Sequence, residues 1–114
     1  MTPEKPIPAV AGVNLPSAHD EAVELMEWIH DEYGPFAAVV VHRRIPSPPV
    51  VLFLRPTPRS HGLVLPIVRV DGTKPSWPSD YDAWLDDLTL RGYRTAVCAG
   101  FLCAQREVLN YLKS

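Results

Sequence analysis

The chain has 114 residues, a net charge of −2 and 46% hydrophobic residues, which fits one ordinary globular domain. Its longest apolar run, 36–41, is much too short to span a bilayer, and no signal peptide is visible, so we expect a cytoplasmic protein. The charge lacks the excess of Lys and Arg with which dedicated nucleic-acid binders hold phosphates, so composition gives no support for DNA binding.

The chain opens with a segment that favours no regular structure and continues into a helix. Residues 1–16 hold four prolines and little periodicity, so we predict an extended, loosely held arm. Ser17 followed by Asp20 resembles a capping box, and apolar residues then recur at helical spacing until Gly34. The pattern predicts a helix over 17–33.

Three apolar runs follow, with prolines between them. We predict strands over 36–42, 50–54 and 63–70, the last interrupted by Pro66. Because these runs are apolar throughout and do not alternate, we expect a sheet that is covered on both faces.

The second half of the chain predicts two helices around a fourth strand. One helix starts at Ser79, with Asp82 as its capping-box partner, and stops at Gly92. A strand covers 93–99 and a last helix covers 102–112. The apolar stripe of the first of these helices is Tyr81, Trp84, Leu85 and Leu88, and the second has Leu102, Gln105, Leu109 and Leu112 on one face.

The element order is helix, three strands, helix, strand, helix. A helical connection between the third and fourth strands implies that they are parallel and joined by a right-handed crossover. We therefore predict an α/β fold with a mixed sheet flanked by helices, in a single domain over 17–114.

The two cysteines indicate neither a disulfide framework nor a metal site. Cys98 ends an apolar run and is expected to be a small buried residue. Cys103 completes a C-x4-C pair that has no matching second pair, so zinc binding is not expected.

Five short motifs occur in order along the second half of the chain. They are His61-Gly62-Leu63, Lys74-Pro75-Ser76, Ala83-Trp84-Leu85, Gly92-Tyr93-Arg94 and Val97-Cys98-Ala99-Gly100-Phe101. Their order and spacing resemble the core of the VRR-NUC family, small nucleases of the PD-(D/E)xK superfamily that are often encoded by phages and are related to Holliday-junction resolvases. The resemblance covers about residues 17–114 and implies a restriction-endonuclease-like core.

The resemblance also implies that the nuclease site has been lost. The family holds a divalent metal ion on carboxylates and uses a lysine to stabilise developing charge. Val51 stands at the position of the metal-binding Asp, and Pro66 and Val68 stand at those of the Glu-x-Lys pair. Tyr81 stands where the family has a Gln, and Glu21 is the only matching carboxylate left.

A shifted register does not restore the site. Moving by one residue puts Ile67 and Arg69 at the Glu-x-Lys positions, and Asp71 lies just beyond the third strand. One carboxylate does not hold a catalytic Mg²⁺. The resemblance therefore implies a protein without catalytic residues, metal or cofactor, and an active junction nuclease that uses Glu21 and a relocated Asp71 stays an alternative.

Two charged groups are candidate contact surfaces. The first helix aligns the carboxylates of Asp20, Glu24, Glu27 and Asp31 on one face, which predicts either a solvated face or a surface for a basic partner. The ends of the first two strands carry Arg43, Arg44, Arg55 and Arg59, which predict a patch that grips phosphates or carboxylates, or ordinary basic loops. Trp77 lies in a loop and is expected to be either an interface anchor or a lid over the sheet end.

These patterns lead to one main hypothesis and two alternatives. The main one is an inactivated nuclease-like domain that acts by protein–protein interaction, as a phage or prophage accessory protein that inhibits a host protein in the host cytoplasm, in the manner of anti-defence or anti-CRISPR factors. A non-cleaving protein that binds duplex or branched DNA through the arginines is the first alternative, and the active nuclease is the second. Since stand-alone members of the family are often dimers, the resemblance also implies a homodimer.

Overall fold

The computed structural model describes residues 16–41, 48–71 and 80–113. These residues form α1 (Ala18–Tyr33), β1 (Ala38–Val41), β2 (Val50–Phe53), β3 (Leu63–Val68), α2 (Tyr81–Leu90), β4 (Arg94–Thr95), β5 (Cys98–Ala99) and α3 (Gly100–Lys113). The predicted order of helices and strands is confirmed. Residues 1–15 of the predicted arm lie outside the described residues. Among the described helices, none is long and apolar enough to cross a membrane.

The sheet is mixed, as predicted. β1, β2 and β3 are antiparallel neighbours in that order, and β4 and β5 both pair with β3 in parallel. The single strand predicted over 93–99 is divided into two short strands, because pairing with β3 stops after Thr95 and resumes at Cys98.

Pro66 does not interrupt the third strand, so this part of the prediction is wrong. The N–H of Ile67 donates to Pro49 O, on the side of β2. Since successive residues of a strand direct their N–H groups to opposite sides, the Pro66 nitrogen points towards the other neighbour. There it falls between the pairing of β3 with β4 and with β5, where a missing donor breaks no ladder hydrogen bond.

Helices cover the two faces of the sheet unequally. α1 and α3 pack side by side on one face, over the larger core cluster. α2 covers part of the other face and closes a smaller cluster. The smaller cluster consists of Val50, Val64, Tyr81 and Leu85, with Leu52, Trp84 and Leu88 packed against it.

Ser17 starts α1 as predicted, whereas α2 starts later than predicted. Ser17 is the N-cap of α1, and its Oγ accepts the backbone N–H of Asp20 at 3.0 Å. α2 begins at Tyr81 after Asp80, whose side chain makes no cap hydrogen bond. Ser79 lies outside the described residues.

The apolar face predicted for the last helix is wrong. The buried residues of α3 are Gly100, Ala104, Val108 and Tyr111. Leu102 is 70% exposed and Leu109 is 42% exposed. The helix carries two apolar stripes, and the inward one starts at Gly100, where a Cβ would lie 3.0 Å from Val70 Cγ2.

Candidate functional site

Glu21 is buried at the N-terminus of α3. It is 7% exposed, and its Oε2 accepts the backbone N–H of Phe101 at 3.1 Å. The first N–H groups of a helix have no partner within the helix and carry partial positive charge, so a carboxylate there stabilises the helix. The carboxylate that matches the family pattern is therefore engaged as a cap that joins α1 to α3.

The other former-site positions do not gather around Glu21. Val51 is fully buried in the larger cluster, on the α1 side of the sheet. Pro66 and Val68 alternate with the core residues of β3 and share the α2 side with Val64. Tyr81 is buried on that same α2 side.

The register shifted by one residue moves the Glu-x-Lys positions to the other side of the sheet. Ile67 is fully buried in the same cluster as Val51, on the side of Glu21. Val51 and Ile67 are thus apolar side chains packed in the core on the face of the sheet that α1 covers. A hard divalent cation needs several oxygen ligands, which these residues do not supply.

The relocated ligand proposed for the third strand is engaged elsewhere. Asp71 is exposed, and its Oδ2 lies 3.5 Å from a guanidinium nitrogen of Arg69. Within 16–41, 48–71 and 80–113, no three His, Cys, Asp or Glu side chains come close enough together to hold a metal ion. The described residues therefore do not fit the metal centre of the family.

The carboxylates of α1 form an exposed line on the outer side of the helix. Asp20, Glu24, Glu27 and Asp31 are all exposed, as the helical spacing predicted. We call these four residues the acidic ridge. Like charges at this spacing destabilise a helix by about 0.2–0.5 kcal/mol per pair.

The predicted arginine patch requires the first two strands to end on the same side of the sheet, which β1 and β2 do not. Arg55 and Arg59 are exposed beyond β2, whereas Arg43 and Arg44 lie outside the described residues, as does Trp77. In the antiparallel pair of β1 and β2, the last residue of β1 lies opposite the first residue of β2. The two strands therefore end at opposite edges of the sheet, and strand ends alone do not bring the four arginines together.

An apolar cleft lies beside α2, and the sequence did not predict it. Its volume is about 510 Å³. Its walls include Leu52, Leu54, Trp84, Leu88 and Tyr93, with His61 at one end. We call this feature the α2 cleft. The cleft exists because α2 covers only part of this face of the sheet, whereas two helices cover the other face. The number of predicted helices, three, was the indication in the sequence that one face would have a single helix.

A tight turn shapes the end of the α2 cleft. Gly92 has φ of 98°, and a Cβ there would lie 2.6 Å from His61 Cδ2. The His61 and Tyr93 rings meet edge to face, with centroids 5.7 Å apart. Aromatic groups in a partly open apolar cleft are well suited to anchoring an apolar group of a partner.

A second cleft, of about 380 Å³, lies between the first turns of α1 and α3. Glu21 and Glu24 line it from α1, and Phe101 and Leu102 line it from α3. Val70 and Ala99 complete it. Residues of both helices thus line one concave region.

No family model, curated protein or solved structure matches this chain, so the VRR-NUC resemblance stays a prediction based on its motifs.

Proposed function

We propose that this chain is a binding protein on an inactive nuclease-like fold, and that it inhibits a host protein, as a phage-type accessory protein would. The α/β fold, with three helices and a mixed sheet, supports this proposal. Function in such a scaffold depends on the surface and not on the fold itself.

The main support for the proposal is that the residues at the former ligand positions stabilise the fold. Glu21 caps α3 through the Phe101 N–H, and Val51 and Ile67 are packed in the core. Restoring a ligand at either apolar position would bury a charge in the main cluster, at a cost of several kcal/mol. A nuclease that evolved into a binding protein would show this pattern, because selection would then preserve the fold but not the metal ligands.

The α2 cleft is the surface that we assign to the host protein. It combines an apolar floor from the sheet with Trp84 and Tyr93 at its walls. Tryptophan and tyrosine contribute a large share of the binding energy at protein interfaces. Leu54, half exposed at the cleft, adds apolar area that a partner would cover.

A protein partner is favoured over DNA by the charge distribution. The acidic ridge repels phosphate, and the net charge of the chain is −2. Binding to duplex or junction DNA through Arg55 and Arg59 would lose affinity steeply with salt. Titration of both DNA forms over a salt series tests that alternative, and we expect no binding even at low salt.

Hydrolysis is tested by incubating junction and duplex DNA with the protein and Mg²⁺ or Mn²⁺. We expect no cleavage. Cleavage by the wild type that is lost in Asp71→Ala would contradict the proposal. Asp71 is exposed, so this variant should fold, and its loss of activity would not reflect unfolding.

The binding surface is tested by affinity capture from a lysate of the source cells, followed by mass spectrometry. We expect one protein to be retained by the wild type and lost with Leu54→Asp or Tyr93→Ala. Leu90→Ala is the matched control, because Leu90 is exposed on α2 but does not line the cleft. If no protein distinguishes the wild type from the cleft variants, the assignment of this surface is wrong.

A further inference from the structure

The α2 cleft is one part of a wider apolar area on its side of the sheet. Leu52 lines the cleft and lies opposite Val39 of β1 in the antiparallel register. Because the side chains of opposed residues point to the same side of a sheet, Val39 extends the apolar floor of the cleft from β2 to β1. Val39 is 41% exposed and Leu54 is 50% exposed, so part of the sheet formed by β1 and β2 lies open beside α2.

One end of the α2 cleft is basic. His61 and Arg91 line it there, and the exposed Arg59 precedes His61 by two residues. The connection from β2 to β3 and the turn after α2 lie side by side, because His61 N donates to Gly92 O at 2.8 Å. Neither 54–63 nor 88–95 contains an acidic residue. A partner that fills the cleft therefore meets positive charge at this end.

Arg91 can bind a partner although it already has an ion pair. Its Nε lies 2.8 Å from Asp87 Oδ2, and the two side chains are 69% and 55% exposed. Exposed pairs of this kind contribute little free energy. The guanidinium has two further nitrogens, which suit a bidentate contact with a carboxylate.

The C-terminal end of α2 does not strongly oppose an anion. Free carbonyls at the end of a helix carry partial negative charge. Here Gly92 N donates to Thr89 O at 3.1 Å, and Tyr93 N donates to Leu88 O at 3.0 Å. The turn after α2 therefore supplies donors to two of the last carbonyls beside the basic end.

We propose that the α2 cleft binds an acidic amphipathic helix of the host protein, which lies beside α2 on the sheet. The apolar side of this helix covers Val39, Leu52 and Leu54, and its carboxylates face Arg59 and Arg91. Apolar side chains are removed from water in the cleft, and complementary charges set the direction of the bound helix. The inference rests on the proposed function and names the chemistry of the segment that the cleft binds.

The sheet favours a helix over an extended segment. β2, which contributes Leu52 to the floor, is hydrogen-bonded to β1 on one side and to β3 on the other. An extended segment on this floor would lose water from its backbone groups without gaining partners. A helix satisfies its own backbone and packs through side chains three and four residues apart. α1 and α3 cover the opposite side of the sheet in the same way.

A nucleic acid fits this surface less well than an acidic protein segment does. Its phosphates would be attracted to Arg59 and Arg91, as carboxylates are. Its sugar–phosphate backbone, however, is too polar to remove Val39, Leu52 and Leu54 from water, and aliphatic side chains give bases no aromatic ring to stack on. The combination of basic end and aliphatic floor favours the protein segment.

The experiment is a selection on the full chain from two displayed libraries of peptides about 18 residues long, or five helical turns. One library has leucine fixed at helical spacing and the other has leucine at alternate positions, with every other position random. We expect enrichment from the helical library alone. In the enriched peptides the ratio of Asp and Glu to Lys and Arg should rise about threefold or more over the unselected library.

An enriched peptide is then titrated by fluorescence anisotropy against the wild type and three variants. Leu54→Asp, and Arg59→Glu combined with Arg91→Glu, should each raise the dissociation constant about tenfold or more. Arg106→Glu with Lys113→Glu is the matched control, because it makes the same charge change at exposed positions of α3 and should leave the dissociation constant unchanged. Circular dichroism and the Tm check that each variant is folded.

Failure of this inference can be told apart from failure of the proposed function. If the host protein is captured through the cleft but the libraries give no enrichment, no acidic preference or equal enrichment of both spacings, the acidic helix is wrong and the proposed function stands. A peptide that Leu54→Asp or the double arginine variant binds as tightly as the wild type does would also overturn the inference. So would a DNA duplex that binds the wild type more tightly than the peptide. If acidic helical peptides bind the cleft but no host protein is captured, the inference stands and the proposed function is wrong.

Discussion

The two faces of the sheet differ in how completely they are covered. The cluster under α1 and α3 contains thirteen buried residues, whereas the cluster under α2 contains four and leaves a cleft of about 510 Å³ beside it. Burial of apolar area is the main source of folding free energy. The first face should therefore carry most of the stability, and the second is freer to vary and to bind.

The largest expected difference is between two neighbouring residues of β2. Phe53 is fully buried on the α1–α3 side and packs against Tyr33 and Tyr111, with centroids 5.5 and 5.9 Å away. Leu52 points to the α2 cleft and is half-buried. We expect Phe53→Ala to lower the free energy of unfolding by about 3–5 kcal/mol and Leu52→Ala by about 1–2 kcal/mol. Urea unfolding measures both, and equal losses would mean that the faces contribute equally.

Substitution of Glu21 tests the contact between α1 and α3, the two helices that cover the larger cluster. Removing its carboxylate leaves the partly buried Phe101 N–H without its acceptor and the α3 N-terminus without its charge partner. We expect Glu21→Ala to cost about 1–3 kcal/mol, and Glu21→Gln to cost less because the amide oxygen still accepts the hydrogen bond. Thermal and urea unfolding of both variants provide the measurement. A glutamine variant as unstable as the alanine variant would show that the charge, not the hydrogen bond, dominates.

The larger cluster should also make the stability of the protein sensitive to high pH, because it contains Cys98. Burial, followed by the nearby Cys103 thiol, raises the pKa of Cys98 well above its ordinary value of 9.0. The folded chain then keeps a proton that the unfolded chain loses, so the stabilising contribution is complete below pH 9 and decreases as the pH rises further. The free energy of unfolding should fall by at most about 1.4 kcal/mol per pH unit in this range. Cys98→Ala should remove this part of the slope, and an identical slope in that variant would exclude the thiol as its source.

The sequence predicted the elements because their patterns are local. Apolar residues at helical spacing identified the helices, continuous apolar runs identified the strands, and the helical connection between β3 and the next strand identified the parallel pair. The cap at Ser17 was predictable for the same reason, since the donor at Asp20 is three residues away. The ends of α2 and of the divided last strand were less exact, because they depend on pairing and packing partners.

The candidate site was less predictable because its features depend on contacts between distant residues. The Glu21 cap joins residues 80 positions apart, which no local pattern reports. The apolar side of α3 was misassigned because Leu102 and Leu109 look like better core residues than Gly100 and Ala104. The closeness of Val70 to Gly100 is a contact between distant residues that favours glycine on the inward side at the start of the helix.

The smallest expected effect concerns helix capping, for which α1 on one face of the sheet is compared with α2 on the other. Ser17 caps α1 with a side-chain hydrogen bond of 3.0 Å, whereas Asp80 at the start of α2 makes none. Ser17→Ala should therefore cost about 1 kcal/mol, and Asp80→Ala should change the free energy of unfolding by less than about 0.5 kcal/mol, through the helix dipole alone. Urea unfolding at low salt compares the two variants directly. A loss in Asp80→Ala that equals the loss in Ser17→Ala would mean that α2 is held as firmly as α1, and that the open face contributes more to folding than its small cluster implies.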